Sequence, residues 1–401
     1  MNTKELIDLE KSVLLQTYSR PDFVIDHGQG CYLYDSEGNA YLDFVAGIAV
    51  NALGYGDSDL IAALAQQAAK LWHCSNLFYT EPQVLLARRL VELTFADRVF
   101  FSNTGTEAVE GAIKIARKWG HHHKGESAWE IVAFDHSFHG RTYGSLSATG
   151  QPKFQQDFGP MLPGFRFARF NDIASLREQM TSQTCAVLIE PIQGEGGIYS
   201  ADREFMSSVY ELCQQNHCLL LLDEIQCGLS RTGSFLAHEY YGIRPDIVVL
   251  AKPLAGGLPL GAILMNEDVA QVMQVGNHGT TFGGGPLTCS VAQVVIDKIS
   301  RPAFIAHVRE MGYYLLQQLQ ELQSRNSALT AVRGRGLMIG VDVAIETKTM
   351  LKACQSRGLL LCRAGEQTLR FLPPLVVTRQ EIDRAIEIFA SALSATSSGR
   401  A

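Results

Sequence analysis

Along the middle of the chain, short apolar runs alternate with longer stretches whose apolar residues recur at helical spacing. The runs are RVFF at 98–101, EIVAF at 130–134, CAVLIE at 185–190, CLLLLD at 218–223 and DIVVLA at 246–251. A strand with one wet face alternates apolar and polar positions, whereas a run without alternation is a strand covered on both faces. The helical stretches supply that cover, so the pattern predicts an α/β fold with a mostly parallel central sheet covered by helices. The two ends of the chain differ. In GCYLYDSEGNAYLDF (30–44) alternating strands flank a turn at Ser36–Asn39, which predicts a hairpin. Before it, Leu6, Leu9, Val13 and Leu14 share one side of a predicted helix, a stripe suited to docking on a second subunit. After Asp297 a helical segment leads to VRGRGLMIGVDV, LLLCR and LRFLPP, which predicts a smaller C-terminal α/β domain. The expected organisation is a helix and hairpin segment over 1–56, a large domain over 57–296 and a small domain over 297–401. The polar tail SALSATSSGRA should fray.

Candidate chemistry gathers where two central runs end. Lys252 follows IVVLA and opens the Gly-rich PLAGGLPLGA, while Asp223 and Glu224 follow the run LLLL. Ligands of open α/β sheets bind outside the carboxyl ends of the strands. Asp223 and Lys252, 29 positions apart, should therefore project into one crevice from two strands joined by a helix-bearing connection. Burial disfavours the ammonium form of a lysine, and a neutral lysine is a nucleophile for aldehydes. Alone, Lys252 could simply reach water and Asp223 could cap the next segment. Together, an amine for an aldehyde and an acid for a pyridine nitrogen are the minimal equipment for pyridoxal 5'-phosphate (PLP). In SNTGTEAVEGAIKIAR a turn-forming cluster, 102–105, precedes residues 106–117 of helical composition. Such a helix start binds phosphate, and equally could be an ordinary cap made by Thr104 or Thr106.

The segments SNTGTEA, SFHGRT, IEPIQGEGG, LLDEIQCG, LAKPLAGG and TTFGG, in that order, resemble the class III, fold-type I PLP-dependent aminotransferases. The resemblance runs from about Asp26 to Pro374 and is strongest to the acetylornithine aminotransferases. It implies that Lys252 holds the cofactor aldehyde as an imine and that Asp223 partners the pyridine nitrogen. It further implies that Gly105 and Thr106 cradle the phosphate and that Phe138 stacks on the ring, with His139 and Gly140 shaping its turn. Gln226 would lie near the ring hydroxyl. Thr281 would reach the phosphate of the neighbouring subunit, making a homodimer with shared active sites. Arg141 would bind a substrate carboxylate and Arg370 the α-carboxylate of glutamate, with Glu195 pairing with Arg370 when the other amino donor is bound. The implied reaction converts N-acetylornithine and 2-oxoglutarate to N-acetylglutamate 5-semialdehyde and glutamate, in arginine biosynthesis. Succinylornithine, acyl-lysine, succinyl-diaminopimelate, ornithine and 4-aminobutyrate are alternative amines, and a PLP-binding aminomutase is an alternative activity.

Some positions depart from the family pattern. Pro253 follows Lys252 where many relatives carry a small residue, and proline biases the residue before it to extended geometry. Gly47 and Ile48 stand where ornithine aminotransferases carry a tyrosine, which predicts a smaller, more apolar wall suited to an acyl group. His136 replaces a frequent asparagine and is expected to be solvated or behind the site.

Composition narrows the classes. The net charge of −7 and the lack of a basic, aromatic-laced stripe argue against nucleic acid. No apolar run has membrane-spanning length, and the N-terminus lacks a hydrophobic signal core. The nine cysteines form no CxxC pair; Cys213 and Cys218 read as buried thiols of a reducing, cytoplasmic compartment. HEYYG, from His238, starts like a zinc-protease motif and fails at Gly242, and His121 to His123 are expected in an exposed loop, so no metal is predicted. A Walker or dinucleotide loop is absent, which disfavours a nucleotide-binding protein.

Overall fold

The structure, a computed structural model, describes residues 1–397. Helix α1 (Thr3–Val13) starts with a reciprocal cap in which the Asn2 side chain accepts the Glu5 amide and the Glu5 carboxylate accepts the Asn2 amide, both at 2.9 Å. No residue of α1 is buried within one chain. Strands β1 (Ile25–Gln29), β2 (Tyr32–Asp35) and β3 (Ala40–Asp43) follow in antiparallel pairs. Asp35 fixes the turn between the last two, accepting the Asn39 amide at 2.8 Å and the Tyr41 hydroxyl at 2.9 Å.

The central sheet is built from β4 (Arg98–Ser102), β5 (Glu130–Phe134), β6 (Phe165–Ala168), β7 (Thr184–Ile189), β8 (Leu219–Asp223), β9 (Ile247–Leu250) and β10 (Gly261–Met265). Their spatial order is β4-β10-β9-β8-β7-β5-β6. Helices α2 (Gly105–Lys124) and α3 (Arg203–Gln215) cover opposite faces. Leu219, Leu221, Ile247 and Val249 pack with Ala108, Ala112 and Ile113 of α2. The intervening Leu220, Leu222, Val248 and Leu250 pack with Met206 and Val209 of α3. Both faces are dry, which is why the runs lack alternation; each buried leucine contributes about 1.5–3 kcal/mol.

The mostly parallel sheet holds, with one strand reversed: β10 is antiparallel to both β9 and β4. The apolar run pattern overlooked β10, whose GAILM is flanked by glycine and proline, and β6, whose exposed end position admits Arg166. The expected helix between β8 and β9 is absent. Residues 224–246 contain only a 3-10 turn at Ala237–Tyr241, organised by the buried Glu224 carboxylate, which accepts the His238 amide at 2.9 Å and meets His238 Nδ1 at 2.8 Å. His121 to His123 lie in the last turn of α2, not in a loop.

Arg231, in the same connection, is fully buried and pairs with no carboxylate among the described residues. Its Nη1 donates to the carbonyls of Leu337 at 3.0 Å and Pro373 at 2.5 Å, tying the central sheet to the C-terminal region. Burial alone pushes this guanidinium down to about 9, so it stays charged at neutral pH. Arg231→Ala orphans two buried carbonyls and opens a cavity, and should cost about 3 kcal/mol or more in urea unfolding. Exposed Arg98→Ala, by comparison, should stay within about 0.5 kcal/mol.

The C-terminal region includes α4 (Pro302–Arg325), the antiparallel strands β11 (Leu329–Arg335), β12 (Met338–Val343), β13 (Cys362–Ala364) and β14 (Thr368–Phe371), and α5 (Arg379–Ser397). Leu42 and Phe44 of the hairpin segment share its core with Leu315, Phe371 and Phe389, and Leu359–Leu360 pairs parallel with β3. The tail is less frayed than its composition suggests. Residues 391–397 continue α5 with Ala392 and Leu393 buried, and the remainder lies outside the described residues. Among the described residues no helix is long and apolar enough to cross a membrane.

Candidate active site

At the carboxyl ends of β4, β8 and β9 the chain encloses a cavity of about 420 Å³, lined by Gly105, Thr106, Phe138, Arg141, Asp223, Gln226 and Lys252 among others. Strands β8 and β9 are parallel neighbours with Asp223 opposite Val249, so Asp223 and Lys252 do enter one crevice. Lys252 is not extended before Pro253. Its φ is +35°, and it opens a 3-10 turn, Lys252–Ala255. A left-handed backbone in a residue with a side chain stores strain, held here by the strand behind it and the turn ahead. The Lys252 amine has no hydrogen-bond or ion-pair partner among the described residues. Burial lowers its pKa from 10.5, opposed by the charges of Glu195 and Asp223 and aided by Arg370.

Asp223 is held from two sides. Its Oδ1 accepts the Ile225 amide at 3.1 Å, and its Oδ2 lies 2.8 Å from Nδ1 of buried His139. A carboxylate only accepts, so His139 donates from Nδ1; its Nε2 is buried without a partner among the described residues. His139 therefore orients the acid as well as shaping a turn. Gly140, at φ +131°, lets this loop touch α2, because a Cβ there would meet Thr106 Oγ1 at 2.2 Å.

At the start of α2 the Thr104 hydroxyl accepts the Glu107 amide at 3.3 Å, so Thr104 is the cap. Thr106 Oγ1 accepts the amides of Arg141 at 3.1 Å and Thr142 at 3.2 Å. The amides of Gly105 and Thr106 find no acceptor among the described residues, and the positive end of α2 adds to their pull on an anion. Phe138 lies on the cavity wall, and the exposed Arg141 stands 4.1 Å from the Phe154 ring centre and 5.6 Å from that of Phe138. An unpartnered amine, an anchored acid, free helix-start amides and an aromatic wall fit the aldehyde, ring nitrogen, phosphate and ring face of PLP.

Arg370, on β14, is buried and meets Glu195 through two hydrogen bonds, Nη1–Oε1 at 2.5 Å and Nη2–Oε2 at 3.2 Å. Its Nη1 also donates to Gln226 Oε1 at 3.1 Å. The pair adjoins the cavity through Gln226 without lining it. Burial opposes both charges. Arg370 nonetheless holds Glu195 below the usual carboxylate range, while Cys362 and Glu195 raise Arg370.

Other residues fall elsewhere. Thr281 is exposed and borders a separate recess with His73 and Phe282. Gly47 and Ile48 do not line the cavity, whereas Val50 does. They belong to a left-handed turn in which Ala46, Gly47, Ile48 and Ala49 have φ of 48°, 65°, 63° and 62°. Asp43 clamps that turn by accepting the Val45 amide at 2.8 Å and the Ala46 amide at 3.0 Å. His136 is exposed and lines a different recess. Glu190 is a further site residue, not among those expected from the sequence. It lines the cavity and accepts the amides of Phe138 at 2.9 Å and Gly194 at 3.1 Å. Burial raises its pKa, with His139 opposing and Asp223 adding. It directly follows β7, so the strand-end argument that singled out Asp223 applied to it as well.

Comparison with known proteins agrees with this geometry. The description "Aminotransferase class-III" matches residues 15–393. The acetylornithine aminotransferase of Alnus glutinosa mitochondria is 48% identical over 398 residues, covering 98% of this chain and 88% of its own. The crystal structure of N-acetylornithine aminotransferase from Stenotrophomonas maltophilia K279a is similar at TM-score 0.85 and 37% identity, covering 98% of this chain and 100% of its own. Ornithine aminotransferase from Toxoplasma gondii ME49 superposes at TM-score 0.96 with 32% identity, covering 100% of this chain and 96% of its own. With its lysine and aspartate at adjoining strand ends and this likeness along nearly its whole length, the chain belongs to the class III aminotransferase family.

Proposed function

We propose that this chain transfers the terminal amino group of N-acetylornithine to 2-oxoglutarate, giving N-acetylglutamate 5-semialdehyde and glutamate, as a step of arginine biosynthesis with PLP as cofactor. The observation that carries the reading is the doubly hydrogen-bonded Arg370–Glu195 pair beside Lys252. One pocket must take glutamate, which has two carboxylates, and an acylated diamine whose reacting end carries none. A buried guanidinium suits the first substrate and would be an orphaned charge with the second. Glu195 neutralises it in that second half-reaction.

When bound, PLP supplies an aldehyde that takes up amino groups and a ring that absorbs the electrons of a breaking bond. Lys252 would hold that aldehyde and, once displaced, use its amine to carry a proton to and from the reacting carbon. Asp223, fixed by His139 and the Ile225 amide, would keep the ring nitrogen protonated. Gly105 and Thr106 would hold the phosphate through their amides, Phe138 would cover the ring and Gln226 would lie at its hydroxyl. Arg141, at the cavity mouth, would bind a substrate carboxylate.

A homodimer is part of the proposal. Leu6, Leu9, Val13 and Leu14 remain exposed in one chain, and Thr281 stands outside the cavity it would complete from a second copy. Cytoplasmic residence is proposed from the free thiols, most of them buried.

Glu195→Gln should slow the N-acetylornithine half-reaction more than the glutamate half-reaction, since glutamine cannot neutralise Arg370. Rapid mixing of PLP-loaded protein with each donor measures both, and equal damage would refute the switch. A panel with 2-oxoglutarate as acceptor should show the highest kcat/KM for N-acetylornithine over N-succinylornithine, ornithine and 4-aminobutyrate; a preference for free ornithine would refute the substrate assignment.

A further inference from the structure

A second recess, of about 540 Å³, lies away from the cavity of Lys252, where the start of α3 and the 3-10 turn face α4 and the end of β11. Arg203 and Tyr240 line it from one side, Arg309, Tyr313 and Arg335 from the other. None of the three arginines pairs with a carboxylate among the described residues, whereas Arg333 and Arg379 pair with Asp342 and Glu310. On a chain of net charge −7, three unpaired guanidiniums around one recess form a local positive field.

Their geometry leaves donors available. The guanidinium carbons of Arg335 and Arg203 stand 3.2 Å and 4.0 Å from the centre of the same Tyr240 ring. Each guanidinium carries five N–H donors, more than the contacts of Arg203 with Tyr240 and of Arg335 with Tyr241 engage. Arg335 Nη1 is buried and has no hydrogen-bond partner among the described residues, which is costly unless something else supplies an acceptor. Arg309 is fixed by a hydrogen bond from Nε to the Gly233 carbonyl, which leaves its Nη groups for the recess. Glu239, the one acid on the wall, is engaged by the Leu236 amide at 3.2 Å. Burial also raises its pKa, which weakens its claim on the arginines.

We propose that this recess is a binding site for a small polyanion, a compound with clustered phosphate or carboxylate oxygens, held by Arg203, Arg309 and Arg335. Such a ligand would bridge the region of the central sheet and the C-terminal region. Arg335 ends β11, and β12, which pairs with it, also carries Gly340 opposite Arg370. A bound anion would therefore steady the small sheet that presents Arg370 to the first cavity.

The test is calorimetric titration of PLP-loaded protein with pyrophosphate and, separately, citrate. At least one should bind saturably, one per chain, and the preferred one tells phosphate from carboxylate recognition. Removing a charge-assisted hydrogen bond should weaken binding about tenfold or more, so Arg203→Gln and Arg335→Gln should each do so and the double variant should show no heat. The variants should keep the wild-type KM for 2-oxoglutarate without added anion, which separates this site from Arg370. Arg309→Gln, at an exposed position, gives the same reading if an Arg335 variant folds poorly. Wild-type protein that binds neither anion, or a double variant that binds as well as wild type, overturns the proposal. Both readouts are independent of which amine is the substrate.

Discussion

Lys252→Ala should lose the visible absorption of lysine-bound cofactor and essentially all turnover, with loss of the proton carrier alone costing roughly 10²-fold to 10⁴-fold. Two proposed roles converge on one amine, holding the aldehyde and moving the proton, and no neighbouring side chain among the described residues would duplicate it. Asp223, Gln226 and Glu190, on the same cavity, offer no second amine. Turnover retained within tenfold of wild type would remove the lysine from the mechanism. The same residue carries a stability signature in cofactor-free protein. Its folded pKa lies below the unfolded value of 10.5, so between the two values the unfolded chain binds more protons and stability rises with pH. Below the lowered folded value the cost of burying the ammonium is fully present. Lys252→Met should therefore be more stable than wild type at neutral pH, and the difference should close as pH approaches 10.5. Thermal midpoints across that range measure it, and a constant difference would mean that the amine is not desolvated.

Arg370→Gln is expected to have the second largest effect, and a selective one. Truncating one partner of a buried, hydrogen-bonded charge pair between protein and ligand costs about 2–5 kcal/mol, equivalent to a loss of roughly 30-fold to 10³-fold or more in kcat/KM. The loss should fall on glutamate and 2-oxoglutarate, whose carboxylate needs the guanidinium. N-acetylornithine should suffer less, because the guanidinium is then occupied by Glu195. The lone Glu195 left by this change is itself costly, since burial disfavours its charge and Arg370 is the first of the groups that restore it. The double variant Arg370→Gln, Glu195→Gln should thus regain stability without regaining activity toward 2-oxoglutarate. If both half-reactions fall together, Arg370 supports the fold and does not select the substrate.

How much of this was legible beforehand depends on the distance over which each feature is encoded. Asp223 and Lys252 could be placed together because strand ends are local signals and parallel neighbours bring their carboxyl ends to one side. Arg370 and Glu195, 175 positions apart, had no local signal and entered only through resemblance. The local sequence places His139 in a turn, and its grip on Asp223 across 84 positions shows only once the loop is folded over α2. The helix expected before Lys252 gave way to a buried loop because Glu224 and Arg231 supply its hydrogen bonds and anchors.

By itself the sequence determined the two-sided burial of the central strands, the turn closed by Asp35 and the chemical types placed at the strand ends. Each follows from periodicity or from a side chain reaching backbone a few positions away. Tertiary structure alone decided that β10 inserts in reverse between β4 and β9, that Lys252 takes a left-handed backbone before proline, and that Arg335 and Arg203 share one tyrosine. Those outcomes depend on which distant segments meet, and hence on packing of the whole chain, for which no local pattern carries the information.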